Sequence, residues 1–314
     1  MAEARAKSQL AYASPVSDEQ TVRGAYDGSS AAFRALEAWG WGELVNLGYY
    51  PLAALPGLVF GMAPFQRRLV ARALDLLAPV PGERVLDAGC GRGGTTASIA
   101  ARGADAVGLD LLPENVAEAQ IRSGDDPRVR FAVADVTRLP ARSGDVDLGD
   151  GSFDAILCLE AAFHFGAKGR RAFLEESWRL LRPGGRLALV DFAWSDARPE
   201  RIEELDRKRL VRDTWRFSEF EPLARYRAIM SELGFRERAF RDWTGPVIGR
   251  FQHIATFLAR TGNTRAGRAL WSRIRPGLTR IRPDEWSQLV ELMRAHGEVR
   301  RASRYVAFLL EKPA

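Results

Sequence analysis

The chain has 314 residues, 46 of them Lys or Arg against 40 Asp or Glu, for a formal charge of +6, and 46% are hydrophobic. That length allows a large buried core and suits one catalytic domain with a substrate cover rather than two independent domains. Two cysteines, Cys90 and Cys158, are too few and too different in setting for a disulfide framework or a metal site, so a reducing, cytoplasmic home is expected. In chain order, residues 1–20 are polar and mixed in charge, which predicts a loose tail with no charged-then-apolar leader. Residues 49–65 (YYPLAALPGLVFGMAPF) are long and uncharged, but Pro51, Pro56 and Pro64 interrupt them. No transmembrane helix is expected there; the stretch predicts packing or a lid, with membrane contact left open.

From about residue 67 to 192 helical and strand periods alternate, the pattern of a parallel sheet with crossover helices. The string VLDAGCGRGG, residues 85–94, runs an apolar strand into Asp87 and then into glycines ahead of a small-residue helix, 95–102. A Cβ at Gly89, Gly91 or Gly93 would hold a flat ligand off the backbone, so a nucleotide-like cofactor is expected here. Gly89, Gly91 and Gly94 also spell the dinucleotide fingerprint, which on the loop alone leaves a nicotinamide-dependent oxidoreductase open. Asp87 points elsewhere: a carboxylate there suits a ligand bearing an ammonium and a sulfonium, and repels a pyrophosphate.

The second strand, 105–110, ends in Asp110, about twenty residues after Gly89 and at the spacing of an acid that bonds ribose hydroxyls. Pro113 opens a helix and Gly124 closes it. A third strand, 129–135, ends in Asp135, placed to accept from an adenine amino group. Residues 143–152 predict a solvated acidic turn, 153–160 a fourth strand, and 169–181 a helix. Arg182-Pro183-Gly184-Gly185 then turns the chain into a fifth strand, 186–192. Three strands thus deliver carboxylates to the sheet edge where open α/β sheets bind ligands.

VLDAGCGRGG, GLD (108–110), the strand-end AD (134–135), FDAILCLEAAFHF (153–165) and LLRPGGRLALVDF (180–192) occur in the order found in class I S-adenosylmethionine-dependent methyltransferases, which residues 80–195 resemble. The resemblance implies S-adenosyl-L-methionine as cofactor and S-adenosyl-L-homocysteine as product. It places Asp87 and the glycine loop (Gly89, Cys90, Gly91 and Gly93) along the methionine portion, Asp110 at the ribose and Asp135 with the backbone of Val136 at the adenine, with Leu111 and Leu159 also expected to bind the cofactor. It also implies an α/β fold, a Rossmann-like seven-stranded mixed sheet in the order 3-2-1-4-5-7-6 with its last strand antiparallel. Helices would lie on both faces and form a substrate cover. The expected units are a tail and helical lid (1–66), a cofactor-binding core (67–195), a cap helix (196–222) and the end of the sheet (223–314). The last contains strands at 236–243 and 304–311, with a helical insertion, 246–303, between them.

Chemistry is expected in EAAFHF, residues 160–165, directly after the fourth strand. Methyl transfer is an in-line displacement that demands alignment and removal of the acceptor's proton. His164 is the expected base, and Asp191, ending the fifth strand, the expected partner that orients its imidazole. A histidine and an acid so placed resemble natural-product O-methyltransferases. Glu160-Ala161-Ala162-Phe163-His164 also resembles the E-A-x-x-H of sterol C-methyltransferases, where carboxylates and aromatics stabilise a carbocation. In both groups the interval from histidine to R-P-G-G is slightly shorter than here.

The expected acceptor is an apolar small molecule, a natural product, polyketide or isoprenoid-like compound, methylated on oxygen or carbon. Tyr26, Trp39, Trp41, Tyr49, Phe163, Trp215 and Phe217 are expected to line its site. Arginines outnumber acids from 236 to 304, yet they are scattered at helical spacing without a basic-aromatic stripe and read as a solvated face. Nucleic acid is therefore disfavoured, and an RNA-modifying methyltransferase stands only as an alternative. No Asp and Asn cluster suggests a metal. A homodimer is left open.

Overall fold

The structure is a computed structural model that describes residues 30–42, 44–51, 61–195, 198 and 201–314. Tyr26 and most of the 49–65 stretch lie outside the described residues. Short apolar runs form the strands β1 Arg84–Ala88, β2 Asp105–Asp110, β3 Val129–Val133, β4 Phe153–Leu159, β5 Leu181–Trp194, β6 Arg236–Asp242 and β7 Ser303–Glu311. They lie in the order β3-β2-β1-β4-β5-β7-β6. β7 runs antiparallel to both neighbours, whereas the pairs from β3 to β5 are parallel. This is the expected Rossmann-like topology, with a two-residue strand, Glu221–Pro222, added beside the end of β5.

The helices are α1 Ala31–Ala38, α2 Ala63–Leu77, α3 Gly94–Ala100, α4 Pro113–Ser123, α5 Gly166–Leu180, α6 Arg201–Leu205, α7 Leu210–Trp215, α8 Leu223–Glu232, α9 Arg250–Gly262, α10 Arg265–Ile274 and α11 Pro283–Val299. Strand alternation sorts the sheet's side chains into two cores. Val85, Ala155, Leu157 and Tyr305 pack under α2 and α3, while Leu86, Ile156, Cys158 and Leu189 pack under α5 and α8. A third apolar cluster joins α1, α7, α9, α10 and α11 with Phe163, which follows β4, and Trp194, the last residue of β5.

Three local expectations need correction. Residues 143–152 are not merely solvated, because Val146 and Leu148 are buried in the core and Arg179 donates to the Leu148 carbonyl. Arg182 to Gly185 do not separate the strand from the preceding helix. They bulge inside β5, where Phe153 faces Leu181 but Ala155 already faces Arg186, and Gly184 takes φ +78. The expected cap helix (196–222) is broken into α6 and α7, with Arg209 at φ 56 between them. The break is fixed by Asp206, whose carboxylate accepts from the amides of Val211 and Arg212.

Candidate active site

The ends of β1, β2, β3 and β4 surround a cavity of about 1010 Å³, its open mouth included, lined by Gly89, Gly91, Asp110, Leu111, Asp135, Val136, Leu159, Glu160 and His164. Asp110 is locked from three sides: Oδ2 accepts from the Gly91 amide at 2.8 Å, and Oδ1 from the Leu112 amide at 2.9 Å and the Asn115 side chain at 3.0 Å. Asp135 Oδ1 accepts from the amide and hydroxyl of Thr137 at 2.9 and 2.7 Å. Both carboxylates are therefore oriented before any ligand arrives. Cys90 lines an adjoining recess with Gly94 and Thr95.

The glycine loop works differently at each position. All three glycines take positive φ, at +79, +53 and +83 for Gly89, Gly91 and Gly93. A Cβ on Gly91 would meet open space, the space a ligand needs. On Gly89 it would come within 2.5 Å of the Ala161 Cβ, and on Gly93 within 2.8 Å of Ala119 and Phe131. Gly93 thus serves packing between the loop and α4 rather than ligand approach, correcting the sequence expectation. Asp87 is also displaced from its expected place: it is buried behind the loop and accepts from the Thr96 hydroxyl at 2.6 Å.

Glu160 follows β4 at φ 52, a left-handed conformation unusual for a side chain of its kind. Its carboxyl group accepts from the Tyr305 hydroxyl at 2.6 Å and from the Leu47 amide at 3.0 Å. Burial pushes its pKa up to about 8. Burial likewise raises Asp87 and Asp191 to about 7. Of these three, Glu160 lines the cavity, and a positively charged ligand there offsets the cost of ionising it; a sulfonium nucleoside fits this demand.

His164 lies in the short helical turn Ala162–His164 and opens on the same cavity. Burial drives its pKa down to about 4, against a hydrogen bond to the main chain of Arg216 that raises it. Asp191 does not orient it. That carboxyl group is fully buried, accepts from the Tyr226 hydroxyl at 3.3 Å and hydrogen-bonds the main chain of Phe163 and Phe192.

Beyond Glu160 lies a second chamber of about 750 Å³, again counting its mouth, whose walls include Trp41, Phe163, Phe192, Trp215, Phe217 and Phe220. Glu160, Trp41 and Val45 belong to the walls of both chambers. Gln66 holds the intervening segment by donating to the carbonyls of Leu44 and Asn46 at 2.6 and 2.9 Å. Phe163, Trp41, Trp215 and Phe217 are therefore brought together as expected. Trp39 lines a separate apolar chamber. Tyr49 lines none of these chambers: it packs edge-on to Trp243 at 5.9 Å, with the Arg72 guanidinium 5.5 Å from its ring.

Sequence reasoning missed Tyr305, Leu47 and His296. Tyr305 is 145 positions from Glu160 and meets it only because β7 returns beside β5. His296 sits in α11, lines the second chamber and accepts the Trp215 indole N–H at 2.8 Å. Its rarity in the composition, one of 3 histidines, was the available signal.

Residues 86–189 match the family described as methyltransferase domain. A demethylmenaquinone methyltransferase of Beutenbergia cavernae is 32% identical over 238 residues, covering 67% of this chain and 87% of the relative. A 2-methyl-6-phytyl-1,4-hydroquinone methyltransferase of Synechocystis sp. is 27% identical over 251 residues, 73% of each chain. Among solved structures, geranyl diphosphate C-methyltransferase from Streptomyces coelicolor superposes with a TM-score of 0.67 at 16% identity, covering 96% of this chain and 99% of that one, a likeness of fold. The chain belongs to the class I S-adenosylmethionine-dependent methyltransferases, in their small-molecule branch. It is an enzyme, and its cofactor is S-adenosyl-L-methionine. Among the described residues, no helix is long and apolar enough to cross a membrane.

Proposed function

We propose that this enzyme methylates an oxygen or carbon atom of an apolar, ring-bearing small molecule held in the aromatic chamber, with Glu160 as the group that handles its proton or positive charge. One observation carries the reading: Glu160 is the ionisable side chain in the walls of both chambers. When bound, S-adenosyl-L-methionine supplies an electrophilic methyl group on a positively charged sulfur. Asp110 and Asp135 would hold the ribose and adenine, and Gly91 would leave room for the chain between loop and ligand. Leu111, Val136 and Leu159 would pack the base, with Cys90 and Gly89 against the methionine portion.

A base works best when its pKa lies near the working pH. Glu160, at about 8, meets that condition, whereas His164, at about 4, is a weak base. With a hydroxyl acceptor the Glu160 carboxylate takes the proton as oxygen attacks. With an alkene or ring carbon the same negative charge faces the cation that forms, and Phe163, Phe192 and Trp215 offer it their ring faces. His164 then acts as a neutral wall of the cofactor chamber, held through Arg216. The relative named for a hydroquinone acceptor agrees with a ring-bearing substrate. We also read residues 67–195 as the cofactor-binding core and residues 196–222 and 246–303 as the acceptor's cover.

Incubation with cofactor labelled on the methyl group, a metabolite extract and separately RNA tests the reading by mass spectrometry. The expected result is label in an apolar small molecule, reduced sharply by Glu160→Gln. Label in RNA, or undiminished turnover by Glu160→Gln, would overturn it.

A further inference from the structure

We infer that a third chamber, between α1, α9 and α11, takes the hydrocarbon tail of the methyl acceptor whose head lies at Glu160. The inference rests on the proposed reading of the aromatic chamber. The third chamber encloses about 770 Å³, mouth included, and no charged or amide side chain is among the described residues that line it. Its room comes from small side chains on facing helices: Ala32 and Ala35 of α1, and Ala255 and Ala259 of α9. Packed helices normally close such a gap, and an apolar cavity left open stays dry and takes hydrocarbon.

Continuity decides the occupant. Trp215 and Phe251 stand in the walls of both the aromatic chamber and this one. Trp215 is fixed by its indole N–H, which donates to His296 Nε2 at 2.8 Å. Indole nitrogen only donates, so His296 must carry its own proton on Nδ1 and stay neutral. The side chains shared by the two chambers, Trp215 and Phe251, are therefore aromatic and uncharged, and the charged groups of the aromatic chamber, Glu160 and Arg300, lie on its side alone. The polar side chains of the aromatic chamber, Glu160, Gln252, His296, Arg300 and Ser303, are all absent from the third. A molecule with an oxygen-bearing head and a long apolar tail matches this sequence of walls in one orientation only.

The test is a titration of 4-n-alkylphenols, from ethyl to decyl, into the full-length protein saturated with S-adenosylhomocysteine, followed by calorimetry and tryptophan fluorescence. Each methylene that enters the third chamber should tighten binding by about fourfold. Ala35→Phe and Ala255→Phe, which fill the chamber from opposite walls, should each weaken decylphenol by about tenfold or more and leave ethylphenol within about twofold. S-adenosylhomocysteine affinity checks that each variant is folded. Affinity independent of tail length, or decylphenol binding that neither variant changes, would overturn the inference. Decylphenol that binds and responds to both variants while ethylphenol does not bind would keep the tail chamber and remove the aromatic-chamber reading instead.

Discussion

Glu160 combines three features that rarely meet in one residue: a left-handed backbone, a half-buried carboxyl group with a raised pKa, and a place between two chambers. Strained backbone persists where neighbours hold it, and here the Tyr305 hydroxyl and the Leu47 amide do so. Since the group acts as a carboxylate and its pKa lies at about 8, turnover should rise as pH climbs from about 7 to 9. Glu160→Gln should lower kcat by roughly a hundredfold or more and lose that rising limb, while S-adenosylhomocysteine still binds. A pH–rate profile of the two proteins checks this; an identical limb in the variant would assign it to another group. Gly89 gives a second residue-level prediction. Its φ of +79 and the 2.5 Å approach of a built Cβ to Ala161 mean that Gly89→Ala must shift the loop or the turn after β4. The expected cost is about 1–3 kcal/mol in cofactor affinity, read by calorimetry.

At the scale of elements, a buried ion pair joins α5 to the short strand Glu221–Pro222. Arg170 and Glu221, each 1% exposed, meet at 2.7 Å, and Arg170 also donates to the Glu219 carbonyl at 3.2 Å. Arg170→Met leaves the buried Glu221 with only the more exposed Arg225, 3.2 Å away, as an ion-pair partner, so unfolding free energy should fall by roughly 3 kcal/mol. Adding Glu221→Leu should restore most of it, because Arg225, the remaining partner, can turn to solvent. Chemical denaturation of both variants reads the difference. Elements of this kind mark where the sequence is legible. β1, β2 and β4 announce themselves as apolar runs ending in Asp87, Asp110 and Glu160, and local pattern is enough to place them. The α6–α7 break depends on Asp206 reaching the amides of residues 211 and 212, a side-chain choice that helical period does not encode. Asp191 was misjudged for a related reason: a strand-end acid can face either side of the sheet edge, and Tyr226 on α8 claims it. The meeting of Glu160 with Tyr305, and of Trp215 with His296, needs the whole fold, since each pair joins distant segments.

Over the whole molecule, the same buried groups tie stability to pH. Asp87 and Asp191 titrate at about 7 and Glu160 at about 8 in the folded protein, well above unfolded carboxyl groups. The unfolded chain has released those protons that the native protein still holds, so stability falls as pH rises through this window. His164 and His296, both lowered by burial to about 4, act in the opposite sense. Between about pH 4 and 6.5 the unfolded chain binds protons that these native imidazoles refuse, and their contribution grows with pH until it is complete near 6.5. Below pH 6.5 the two imidazoles offset two of the three carboxyl groups, which leaves a shallower decline. Above it only the carboxyl groups remain, each worth on the order of 1 kcal/mol. The ligand-free protein should therefore lose several degrees of Tm between pH 6.5 and 8.5, most of it before 8. Glu160→Gln should make that decline shallower by removing the group with the highest pKa. S-adenosyl-L-methionine should do the same, because its positive charge favours the ionised carboxylates. Thermal unfolding across this pH range, with and without the cofactor, checks both. A Tm that stays level for the ligand-free protein would mean that water reaches these carboxyl groups and that they ionise at ordinary values.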